Sequence, residues 1–108
     1  MDMAYYLIAR IRITDRETYE RYAEGFMEIF ARYQGKMLAV DEKTLVLEGA
    51  WSLEREQQVT RTVLIEFPTK RDALDWYESD EYQALAQYRF AASAGDVVMI
   101  EGLPAKEH

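Results

Sequence analysis

A chain of 108 residues, 49% hydrophobic and with eight tyrosines, has the size and composition of one globular domain and not of a disordered segment. Its net charge of −7, unrelieved by any basic stripe, repels phosphate backbones and anionic lipid heads, which argues against nucleic acid and membrane surfaces as partners. There is no cysteine, which removes disulfides, thiolate nucleophiles and Cys-ligated metals together, and the only histidine is His108, the last residue.

The first residues (MDMAYYLIAR) have no basic n-region and no apolar run long enough for a signal peptide, so a cytoplasmic location is the expectation. From Ala4 to Ile13 two sets of side chains alternate: Tyr5, Leu7, Ala9, Ile11 and Ile13 on one face of a strand, Tyr6, Ile8, Arg10 and Arg12 on the other. Thr14-Asp-Arg-Glu17 reads as a capping box, with the Thr14 hydroxyl accepting from the Glu17 amide, and predicts a helix from about Asp15 to Tyr33. Tyr19, Tyr22, Ala23, Phe26, Ile29, Phe30 and Tyr33 form its apolar stripe, and Gly35 suits the left-handed position that ends it.

Lys36–Val40 and Thr44–Glu48 read as strands, either one kinked strand or a hairpin turning at Asp41-Glu42-Lys43, and 51–58 reads as a connecting loop. Val59–Phe67 alternates again, Val63, Ile65 and Phe67 against Thr62, Leu64 and Glu66, until Pro68 stops the ladder. Thr69 caps a short helix bearing Ala73, Leu74, Trp76 and Tyr77. Ser79 or Asp80 restarts a second helical piece through Tyr82, Leu85, Ala86 and Arg89, closed near Gly95, and Val97–Glu101 is the last strand.

Two βαβ units in about a hundred residues give an α+β, ferredoxin-like βαββαβ fold: a four-stranded antiparallel sheet with both helices on one face. The other face then carries Tyr6, Ile8, Leu64 and Val97 or Met99 beside Arg10, Arg12, Glu48 and Glu66. That face is too apolar to leave in water and too polar for a sealed core. Pairing two sheets would cover it and leave a mixed-polarity cavity, so a homodimer closed into a dimeric α+β barrel is expected, with residues 1–108 one domain, its core about 4–102 and its polar tail 103–108.

The runs AYYLIARIRITDRETYERY, VLEGAW, LIEFPTKRDALDWYESDEYQAL and VVMIEG resemble the domain-of-unknown-function family numbered thirteen-thirty, within the dimeric α+β barrel superfamily, over roughly residues 4 to 102. The resemblance implies the fold and the dimer. The family brings no agreed activity and no established catalytic residues. Related barrel families include cofactor-free monooxygenases, haem degraders, peroxidases and isomerases, a likeness of fold that licenses no particular chemistry.

Candidate cavity residues on the expected barrel face are Tyr6, Arg10, Arg12, Glu48, Trp51 and Glu66. Glu66 beside Arg10 and Arg12 either orients an acidic ligand or forms an internal salt bridge that sets strand register. Glu48 and Trp51 either line a pocket mouth or, for the indole, anchor the dimer interface. Trp76, Tyr77 and Tyr82 read first as packing against the sheet, with a tyrosyl hydroxyl reaching the cavity as the lesser alternative, while Arg89 either pairs with a carboxylate or snorkels at a helix end. With no histidine inside the domain, haem chemistry is not expected, and no Asp/Glu/His set shows metal-ligand spacing. No cofactor is called for. The function expected is binding of a small organic molecule, with cofactor-free acid–base chemistry compatible with it, and the alternative is a non-catalytic dimeric structural or interaction module.

Overall fold

Strand β1 (Tyr5–Ile13) is paired along both edges, antiparallel to β3 (Arg61–Phe67) on one side and to β4 (Ser93–Glu101) on the other. β2 (Lys36–Asp41) completes the sheet outside β3, giving the antiparallel order β2-β3-β1-β4 in the computed structural model, which describes residues 3–49 and 61–104. Helices α1 (Arg16–Phe30), α2 (Lys70–Tyr77) and α3 (Asp80–Ala92) cover one face, α1 running into a 3-10 turn at Ala31–Tyr33. This is the ferredoxin-like arrangement expected from the alternation of strands and helices.

The two faces of β1 separate as the period-two pattern requires: Leu7, Ala9 and Ile11 are buried under the helices, and Tyr6, Ile8, Arg10 and Arg12 point to the open side. Against the first set packs an aromatic cluster. Trp76 from α2 lies with its ring centroid 4.3 Å from Tyr82, 5.4 Å from Phe67 and 5.9 Å from both Phe26 and Phe30. Rings at these separations bury large apolar areas and hold three helices to the sheet at once.

Several boundaries differ from the sequence expectations for physical reasons. Thr14 is not the cap of α1: its hydroxyl and amide both donate to the Ala92 carbonyl, at 3.0 and 2.7 Å, tying the end of β1 to the end of α3. The cap is Asp15, whose carboxylate accepts from the Thr18 amide at 3.2 Å and the Thr18 hydroxyl at 2.7 Å. Thr69 and Ser79 cap α2 and α3, accepting from the amides of Asp72 and Tyr82.

The left-handed residue after the 3-10 turn is Gln34, at φ 72°, and not Gly35. Gly35 is needed for another reason, since a Cβ there would strike the buried ring of Phe30. Residues 44–48 form no strand, although the Thr44 and Thr62 hydroxyls bond at 2.8 Å. α3 ends at Ala92 and β4 begins at once at Ser93, four residues before the expected Val97. Gly95 therefore lies within the strand, where a side chain would collide with the Arg10 carbonyl. The expected loop at 51–58 lies outside the described residues, as do residues 105–108 of the tail.

The Asp15 cap has a pH signature. Hydrogen bonds from the Thr18 hydroxyl and then its amide hold the carboxyl below its ordinary value of 3.8. A carboxyl depressed by folding contributes stability that is present above its unfolded value and is lost as pH falls through the folded one. Asp15→Asn keeps an acceptor but cannot titrate. Its denaturant midpoint should therefore fall less steeply than that of the wild type between about pH 5 and about pH 2. Parallel curves would show that the cap is not charge-assisted.

Candidate functional site

A cavity of about 170 Å³ opens between the sheet and the helices. Its floor is the helix-facing side of the strands, Leu7, Ala9 and Ile11 of β1 with Val63 and Ile65 of β3, and Phe26 of α1 is part of its roof. Met27 and Val40, both exposed, belong to its lining and mark where it reaches the surface between α1 and β2.

Its polar groups are few, and most of them donate. The hydroxyls of Tyr22 and Tyr82 bond to one another at 2.7 Å across α1 and α3. Arg89, in the last turn of α3 and 9% exposed, sets its guanidinium 5.7 Å from the centroid of the Tyr22 ring and 4.9 Å from that of Phe90. Arg61 of β3 stands 5.5 Å from the centroid of the Tyr19 ring. Trp76, 1% exposed, has an indole Nε1–H with no hydrogen-bond partner among the described residues. A buried donor left unpaired costs on the order of 1–3 kcal/mol, so the position calls for a reason.

Electrostatics keep this cluster protonated. Burial pushes the Tyr22 hydroxyl well above its ordinary pKa of 10.0, and the neighbouring Tyr82 pushes it further. Burial raises Tyr19 as well, with Arg61 pulling the other way. For Arg89 burial opposes the charge, but Tyr82 and Tyr22 outweigh it, and the guanidinium stays charged. Among the described residues no carboxylate forms an ion pair with Arg89, and no Asp, Glu or His lines the cavity.

The residues singled out from the sequence lie elsewhere, on the open face of the sheet or near it. Tyr6 and Glu66 are directly opposite in register, and the Tyr6 hydroxyl donates to the Glu66 carboxylate at 3.1 Å. That bond is the chief reason the Tyr6 hydroxyl is raised above 10.0. Arg10 is opposite Thr62 and Asp96, four residues along β3 from Glu66, and its guanidinium pairs with Asp96 at 2.6 Å. The expected pairing of Glu66 with the arginines is therefore replaced by two separate contacts. Arg12 faces Ala94. Glu48 is exposed in the segment after β2, and Trp51 lies outside the described residues.

β4 shows the reverse phase to that expected. Val98 and Ile100 share the open face with Ile8 and Tyr6 and are 51% and 48% exposed, whereas Val97 and Met99 pack against the core. Sequence reasoning put Tyr22 on the apolar stripe of α1 and read Trp76, Tyr77 and Tyr82 as packing against the sheet, with a tyrosyl hydroxyl reaching the cavity only as the lesser alternative and that cavity expected on the other face. The one sequence signal was Arg89 itself, an arginine in step with Tyr82, Leu85 and Ala86 on the buried stripe of α3.

The sheet order and helix placement define the ferredoxin-like α+β class. Within it the chain belongs to the family described as Domain of unknown function (DUF1330), whose sequence profile matches residues 4–103. No curated protein matches the chain. Among solved structures it is similar to a protein of unknown function from Rhodopseudomonas palustris, with a TM-score of 0.74 and 17% identity over 99% of this chain and 86% of that one. It is also similar to SnoaB, a cofactor-independent oxygenase from Streptomyces nogalater, with a TM-score of 0.61 and 13% identity over 98% of this chain and 96% of that one. At these identities the likeness is one of fold. Among the described residues no helix is long and apolar enough to cross a membrane, and no three His, Cys, Asp or Glu side chains gather as a metal site.

Proposed function

We propose that the chain binds a small organic molecule in the cavity between sheet and helices, and that it does so as a homodimer closed over the open face of the sheet. The observation that carries the first part is a mostly apolar cavity lined by Trp76, whose buried Nε1–H has no partner among the described residues, and by the buried Arg89. An apolar pocket with a few convergent polar groups is the usual form of a ligand site. Trp76 could be satisfied by an acceptor on the ligand.

The open face supports the second part. Ile8 and Leu64 are half-buried there, and Val98 and Ile100 are exposed beside them, an apolar strip that a second sheet would cover. Tyr6 with Glu66 and Arg10 with Asp96 are satisfied within the chain, which favours a role for these residues in register and pairing over one in ligand capture. In this reading Arg12, Glu48 and Trp51 also belong to the dimer. A cytoplasmic setting fits a cysteine-free chain. No base lines the cavity among the described residues, so the function supported best is binding, with catalysis dependent on what the ligand brings.

The ligand site is tested by thermal shift with one-ring aromatic compounds. At least one compound should raise the melting temperature of the wild type and of Glu66→Gln, yet leave that of Ala23→Leu, which fills the cavity from α1, unmoved. A full panel without effect on the wild type would refute the site. The dimer is tested by sedimentation at micromolar concentration. The wild type should sediment as a dimer and the double variant Val98→Asp/Ile100→Asp as a monomer, whereas a monomeric wild type would end the barrel reading.

A further inference from the structure

The cavity has more to say about its occupant than that it is small. About 170 Å³ is close to the roughly 150 Å³ of an engineered apolar cavity that accepts benzene, so one ring with one substituent fills it. The floor of Leu7, Ile11 and Ile65 suits a flat apolar body.

The polar end is one-sided. Trp76 can only donate, and so can the guanidinium of Arg89. Of the Tyr22 and Tyr82 hydroxyls, each of which carries one proton, one bond to the other uses a single hydrogen and leaves the second free. Tyr19 of α1 adds a third hydroxyl to the same space, while Arg61 of β3, which also lines it, is already ion-paired with Glu42 at 3.6 Å. A buried cation without a counter-charge is costly; the hydroxyls of Tyr82 and Tyr22, the C-terminal end of α3 and the faces of Tyr22 and Phe90 stabilise Arg89, but none of them carries a full negative charge.

On this basis, and resting on the cavity reading above, we infer that the ligand is a one-ring aromatic anion, a carboxylate or an acidic phenol, whose oxygen is received by Arg89, Trp76 Nε1–H and the free hydroxyl of the Tyr22–Tyr82 pair. The anion arrives already formed. With no carboxylate or imidazole lining the cavity among the described residues, and with Tyr19 and Tyr22 held protonated, the pocket has donors for a negative oxygen and no group to create one. Neutral phenols and amides of the same shape would leave the guanidinium uncompensated and bind less well.

Titration calorimetry of the full chain with benzoate, benzamide and toluene at neutral pH separates this inference from the reading beneath it. Benzoate should bind at least about tenfold more tightly than benzamide, because hydrogen bonds to a charged group are about twice as strong as neutral ones. Arg89→Met should lose that preference while still binding toluene. Trp76→Phe, which keeps Arg89, should retain it at lower affinity for benzoate. Equal binding of benzoate, benzamide and toluene would overturn the anion while leaving the cavity in place. Binding of none of the three to the wild type would overturn both, and a preference for benzoate that survives Arg89→Met would remove Arg89 from the site.

Discussion

β1 is hydrogen-bonded on both edges, and its period-two alternation divides the whole protein. Leu7, Ala9 and Ile11 point to one side and become the floor of a cavity roofed by helices. Ile8 and Tyr6 point to the other and, with Leu64, Val98 and Ile100, form an apolar strip on a bare sheet. A one-residue slip of β1 against its neighbours would exchange the two sets, so the enclosed pocket and the open face depend on the same register. That register is held toward the C-terminal end of β1 by the convergence of Thr14 and Asp15 on the Ala92 carbonyl and the close passage of Gly95 against Arg10, and at the other end by the Gly102 amide, which donates to the Ala4 carbonyl at 2.7 Å.

The two faces handle polar groups in opposite ways. On the open face Arg10 pairs with Asp96, and Glu66 accepts a hydrogen bond from the Tyr6 hydroxyl. Such pairs fix geometry and contribute modestly to stability where water reaches them. In the cavity the hydroxyls of Tyr22 and Tyr82 bond to one another and stabilise the charge of Arg89, which has no carboxylate partner among the described residues, and the Trp76 N–H is unpartnered among them. This contrast supports the proposal that the open face serves pairing and the enclosed face a ligand; placing both on the open face, natural from the sequence alone, leaves the Trp76 N–H without a reason.

What was legible in the sequence was local. Alternation in β1 and β3 gave their faces, and the Thr69 and Ser79 caps stood where capping chemistry places them. What was not legible depended on partners distant in the chain. Val97, Val98, Met99 and Ile100 are all apolar, so nothing in β4 itself sets its phase; pairing with β1 does. Thr14 and Asp15 are both good caps, and the choice fell to a carbonyl 78 residues away that claims the threonine hydroxyl. The cavity was hidden because helical spacing makes Tyr22, Phe26 and Tyr82 look like ordinary core. Only Arg89, charged on an apolar stripe, broke the pattern.

The central claim is that the buried donors of the helix–sheet cavity receive an anionic oxygen, and the proton on Trp76 Nε1 reports on it directly. The chain has two tryptophans, so a nitrogen–proton correlation spectrum should contain two indole signals, and the one lost in Trp76→Phe belongs to the cavity. Added benzoate should move that signal to lower field in a saturable way, as an unpaired N–H gains a charged acceptor. If benzoate saturates the protein while the Trp76 signal stays where it was, the cavity is not where the anion binds.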